Sequence, residues 1–71
     1  MTELEFLKHF DKHIRVILKT GVVIEGYCSS FCRSNDDPNR KANITVDTSD
    51  GYTVVNYEEV EEITTITPQL H

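Results

Sequence analysis

The strongest constraint on this chain is the run Ile14-Arg15-Val16-Ile17-Leu18-Lys19-Thr20-Gly21-Val22-Val23-Ile24-Glu25-Gly26. Apolar and charged residues on either side of Thr20-Gly21 read as two antiparallel strands joined by a tight turn. Gly21 takes the second central position of that turn, where a positive φ is accepted. Gly26 interrupts the outgoing strand, and a glycine inside a strand marks a bend or bulge. A bend there lets one long strand serve both halves of a curled sheet.

The flanking residues supply what such a hairpin needs to bury one face. Thr2-Glu3-Leu4-Glu5 has the form of a capping box, predicting a helix over residues 2–10. Leu4, Phe6, Leu7 and Phe10 form i,i+3 and i,i+4 apolar pairs on one side of it. A helix this short does not persist alone, so it is expected to dock on one open end of the sheet. Strands are predicted at 13–19, 22–31, 43–48, 52–56 and 61–67, with Ile14, Val16 and Leu18 on one face and Ile44 and Val46 inward. Tyr52 and Val54 share one face of the fourth strand and Thr53 and Val55 the other, with Val55 and Ile66 assigned outward. Residues 33–41 read as a loop and Ser49-Asp50-Gly51 as a second hairpin turn. Tyr57-Glu58-Glu59-Val60 reads as one 3₁₀ turn, and Pro68 stops the last strand. The expected fold is mainly β: a single domain over 1–71, a five-stranded, strongly bent antiparallel small barrel with a short N-terminal helix.

Size and charge narrow the function. At 71 residues the chain is near the lower limit for a single apolar core. A ligand pocket of roughly 300 Å³ is hard to enclose in so small a body, so neither an enzyme nor a cofactor is expected. All seven Lys and Arg lie at or before Lys41, against six acids there. The remainder carries six acids and no Lys or Arg, within a formal charge of −5. That second half repels phosphate and is a poor platform for nucleic acid. No secretory signal pattern or membrane-length apolar run is present. A cytoplasmic protein with reduced thiols and no membrane partner is the expectation.

Cys28 and Cys32 are four apart on one strand, their Cα atoms about 13 Å apart at roughly 3.3 Å per residue, too far for a disulfide. Together with His9 and His13 they make a tetrahedral zinc set on paper. The strand spacing denies it, and no metal site is expected; both thiols are read as facing one side of the strand. Ser29 and Ser30 have no base implied beside them, so no catalytic residue is assigned.

With these residues in place, the chain resembles the Sm/LSm family, which includes bacterial Hfq. The resemblance rests on Val16-Ile17-Leu18-Lys19-Thr20-Gly21-Val22-Val23-Ile24-Glu25-Gly26 with Phe31 beyond, and on Val54-Val55-Asn56-Tyr57-Glu58-Glu59-Val60-Glu61-Glu62-Ile63. It implies RNA contact through the loop between strands two and three, and rings formed when strand four of one copy pairs with strand five of the next. On that footing Arg33, Arg40, Lys41 and Asn43 are the candidate RNA-contacting residues, with Tyr27 and Phe31 able to stack bases. The chain departs from the family at Cys32, where an acid stands, and at Asn56 and Tyr57, where a basic residue and a glycine stand. Related small barrels resemble inhibitors of the termination factor Rho and bind protein through an acidic surface. The alternative is therefore an acidic protein-interaction module for a basic partner, through Glu58, Glu59, Glu61 and Glu62 or the strand edge at Tyr52 and Val55.

Overall fold

The computed structural model describes residues 1–66. The elements run α1 (Glu3–Leu7), β1 (His13–Leu18), β2 (Val23–Cys32), a 3₁₀ turn (Ser34–Asp36), β3 (Asn43–Thr48), β4 (Gly51–Asn56), a second 3₁₀ turn (Tyr57–Glu59) and β5 (Val60–Thr65). The strands form one antiparallel sheet in the order β4-β3-β2-β1-β5. The expected continuation of the last strand to Thr67 and its stop at Pro68 lie outside the described residues.

Helix α1 is shorter than the 2–10 expectation. Thr2 caps it by accepting from the Glu5 amide at 3.2 Å, while its hydroxyl donates to the Glu5 carboxylate at 3.3 Å. The other end tightens, with His9 and Phe10 amides donating to the carbonyls three residues back. His9 Nδ1 donates to the Glu5 carbonyl at 3.0 Å and approaches that of Phe6 at 3.3 Å. Asp11, at φ 64°, then breaks the helical path.

The β1–β2 connection differs by one residue from the expected two-residue turn. The Leu18 amide donates to the Val22 carbonyl and the Gly21 amide to the Leu18 carbonyl, both at 2.8 Å. The loop is thus Lys19-Thr20-Gly21, with Gly21 as its left-handed residue at φ 92°.

Strand β2 is shared. Ile17 to His13 pair with Val23 to Tyr27 on one side, and Tyr27 to Cys32 pair with Asp47 to Asn43 on the other. The handover falls at Gly26 and Tyr27. Gly26 is needed there because backbone comes close: a Cβ on it would lie 2.0 Å from the Asp47 carbonyl oxygen. The bulge itself sits three residues on, where the register shifts between Cys28 and Ser30.

The sheet is curled. Four strand spacings would hold the edges of a flat sheet about 19 Å apart, yet Val55 of β4 and Val60 of β5 belong to one buried cluster with Phe6, Ile14, Val16, Cys28, Ala42, Ile44 and Val46. No ladder joins β4 to β5 among the described residues, so both remain edges of the hydrogen-bonded sheet. Phe6 is the one helix residue fully inside, and its ring meets Tyr57 at 5.3 Å between centroids.

Three expected orientations are corrected. Val55 faces inward, opposite Ile44, and is 2 % exposed; the alternation of β4 therefore turns Tyr52 and Val54 outward. Leu4 points to solvent rather than sharing the buried side of Phe6. The bulge reverses the parity of β2, so Cys28 is buried against the core while Cys32 lies half-buried opposite Asn43 on the other face. Burial pushes the Cys28 thiol up from its ordinary range. Iodoacetamide at mildly alkaline pH is accordingly expected to label Cys32 and spare Cys28. Intact mass spectrometry should show a single adduct on the native protein and a second only after unfolding in urea. A second adduct at native conditions would contradict the burial of Cys28.

Candidate binding surfaces

The loop between β2 and β3 is wound around Asp37. Its carboxylate accepts from the Asn39 amide at 2.9 Å and the Lys41 amide at 3.1 Å, and its carbonyl accepts from the Arg40 amide at 2.9 Å. These are the turn contacts that an aspartate before Pro38-Asn39 is suited to make. Arg40 completes the turn in the left-handed region, at φ 59°. The Asn43 side-chain amide donates to the Lys41 carbonyl at 3.0 Å. At the other end of the loop, Glu3 of α1 accepts from the Ser34 amide and the Ser34 hydroxyl, each at 3.1 Å.

Two of the cations are occupied differently from the third. Lys41 Nζ meets Glu58 Oε1 at 2.8 Å, and Glu58 raises the lysine above its usual range. Both groups are well exposed, so the contact adds little stability and weakens with salt. Arg33 and Arg40 are exposed, and neither forms an ion pair among the described residues. Arg40 and Lys41 line a cleft of about 110 Å³ together with Glu3, Ser34, Ala42, Tyr57 and Glu58. Three cleft features oppose an anion: the Glu58 carboxylate, the Glu3 carboxylate and the pairing of Lys41.

The six residues assigned to RNA contact therefore do not form one surface. Arg40, Lys41 and Asn43 come together on the loop. Phe31 turns toward the helix end and packs edge-on against Phe10, with ring centroids 4.9 Å apart. Tyr27 stands at the Gly26 bend, where its hydroxyl donates to Asp11 and its ring lies 5.4 Å from that of His13. The Asp11 carboxylate pushes this phenol above its ordinary range. Asp37 is legible in the sequence as a turn aspartate, in Asp37-Pro38-Asn39, whereas Asp11 and Glu3 carry no local signal for the contacts they make here.

The acidic residues form a second surface. Glu58 and Glu59 lie on the 3₁₀ turn after β4, where Glu59 accepts from the Asn56 side chain at 2.7 Å. Glu58 and Glu61 share an open cleft with Met1, Lys19, Tyr57 and Val60, and Glu61 and Glu62 are exposed on β5. Beside this rim runs the edge of β4, unpaired among the described residues, with Tyr52 and Val54 76 % and 53 % exposed.

Among the described residues there is no cluster of three or more His, Cys, Asp or Glu able to hold a metal ion. No described helix is long and apolar enough to cross a membrane. Comparison with known proteins finds no matching family model, no matching curated protein and no matching solved structure.

Proposed function

We propose that the protein is a non-enzymatic, Sm-like binding module that receives a basic, extended segment of a partner protein along the β4 edge. The family reading is supported by the strand order β4-β3-β2-β1-β5 behind an N-terminal helix and by a second strand shared across a glycine bend. The binding reading is carried by one observation: a strand edge that has no ladder partner among the described residues and bears exposed Tyr52 and Val54 runs directly into an acidic turn. A strand added there gains main-chain hydrogen bonds, and its alternate side chains meet Tyr52 and Val54. Lys or Arg in the segment meets Glu58 and Glu59, with Glu61 and Glu62 extending the field.

An extended peptide alternating Val and Lys is the probe, with a Val/Glu peptide as its counterpart. The Val/Lys peptide is expected to protect β4 amides from exchange, and Val54→Lys to weaken it by about tenfold. Equal binding of the Val/Glu peptide, or protection that bypasses β4, would sink the proposal. Light scattering shows whether another copy of the chain already occupies the edge: a ring assigns the edge to self-assembly, and a monomer leaves it for a partner.

RNA is the second reading, supported by Arg33 and Arg40 standing exposed on the loop without acidic partners among the described residues. It requires binding to single-stranded RNA that falls steeply with salt. Arg33→Ala with Arg40→Ala is then expected to lower affinity, and no binding at low salt would exclude RNA.

A further inference from the structure

The register of β4 fixes which of its main-chain groups a partner can reach. In an antiparallel ladder, opposed residues alternate between pairs that exchange both main-chain bonds and pairs whose N–H and C=O groups point away from each other. Asn43 opposes Asn56, Thr45 opposes Val54 and Asp47 opposes Tyr52. One step beyond the ladder, the Tyr57 amide donates to the Ala42 carbonyl at 2.9 Å. Ala42 and Tyr57 are therefore a bonded pair, and the bonded residues of β4 at every second position are Val55 and Thr53. Tyr52, Val54 and Asn56 turn their N–H and C=O groups away from β3, toward the side on which no strand lies among the described residues.

The same three residues share the outer face. Side chains alternate along a strand, and Val55 points into the core at 2 % exposure. Tyr52 and Val54 are exposed, and the Asn56 side chain donates to the Glu59 carboxylate at 2.7 Å. That bond leaves the Glu59 charge in place, because asparagine is neutral. Glu59 forms no ion pair among the described residues, whereas Glu58 is paired with Lys41 at 2.8 Å. From Tyr52 to Asn56 the edge thus offers two apolar positions and then a carboxylate.

Resting on the strand addition proposed above, we propose that the partner segment runs antiparallel to β4, with a basic residue two positions ahead of an aliphatic one and four ahead of a second apolar one. These three residues stand opposite Asn56, Val54 and Tyr52 in turn, and Glu59 sets the place of the charge. An antiparallel segment exchanges both bonds with each outward residue; a parallel one makes slanted bonds and is slightly less stable. The antiparallel direction puts the N-terminal end of the segment at Asn56, so the basic residue comes first.

The test titrates the isotope-labelled full chain with the capped peptide Arg-Thr-Val-Thr-Ile and with its reverse, Ile-Thr-Val-Thr-Arg. Amide shifts are expected at Tyr52, Val54 and Asn56, with the first peptide binding about fourfold more tightly, the range of an exposed ion pair. Glu59→Gln keeps the acceptor for Asn56 and is expected to bring the two peptides within about twofold of each other. N-methylation of the peptide's valine amide is expected to abolish binding, because that N–H donates to β4 in the antiparallel arrangement. N-methylation of either threonine amide, which points away from β4, is expected to leave binding in place. Equal or tighter binding of the reverse peptide, or a preference that survives Glu59→Gln, would overturn the proposal and leave strand addition standing. So would loss of binding on methylating threonine but not valine, the signature of a parallel segment. If neither peptide shifts the β4 amides, strand addition itself fails, and this proposal with it.

Discussion

Replacing Gly26 by alanine is expected to cost most of the stability of this domain. The added Cβ would lie 2.0 Å from the Asp47 carbonyl oxygen, 2.9 Å from the Asp47 carbonyl carbon and 2.9 Å from Val46 Cγ1. The first two are backbone atoms, so no rotamer change relieves the contact; β2 must move away from β3 at its handover from β1. Overpacking of this kind costs about 3 kcal/mol or more when backbone has to shift. A chain of 71 residues has only roughly 4–10 kcal/mol in total. G26A should therefore show a much lower urea midpoint or a collapsed amide spectrum. Gly21→Ala is the useful comparison: nothing lies within 4 Å of its added Cβ, and its cost comes only from φ +92°. That backbone strain is about 1–2 kcal/mol. If the two variants unfolded at the same denaturant concentration, close approach would not be the reason for Gly26.

Phe6→Ala is expected to be the second large loss, about 3–5 kcal/mol for a buried aromatic. Phe6 is the one fully buried residue of α1, with Leu7 packed partly against the core beside it, and its ring meets that of Tyr57. Losing it undocks a helix of five residues, which has no independent stability. The consequence reaches the loop, because Glu3 holds Ser34 from that same helix. Faster exchange of the Ser34 amide should accompany the lower urea midpoint. Leu4→Ala, two residues away on the other side of the helix and largely exposed, is expected to change stability by no more than about 0.5 kcal/mol. A Phe6→Ala protein with native stability and unchanged Ser34 protection would mean the helix is held by other contacts.

These contrasts separate what is readable locally from what is not. Helix capping by Thr2, the hairpin at Gly21, the turn before Gly51 and the 3₁₀ turn at Tyr57 each rest on residues within four positions of one another. Such features follow from backbone preferences and short hydrogen bonds, so they are legible without knowing the fold. The candidate sites were less legible. Arg40, Lys41 and Asn43 are brought together largely by the loop's own chemistry, and their proximity in sequence carries into space. Phe31 and Tyr27 separate from them because their partners, Phe10 and Asp11, come from a segment many residues earlier.

The sequence alone determined that this chain makes a short helix and five strands in this order, with a long second strand that bends at a glycine. Its alternation of apolar and polar residues and its turn chemistry are sufficient for that. Tertiary structure decided which faces look outward. A one-residue shift between Cys28 and Ser30 reverses the parity of everything after it on β2, and pairing with Ile44 draws Val55 inside while leaving Val54 out. Strand residues alternate with a period of two, so a single unpaired residue exchanges core for surface. The bend at Gly26 was readable as a need for glycine; the reason for that need, the Asp47 carbonyl against its α-carbon, exists only once β3 is in place.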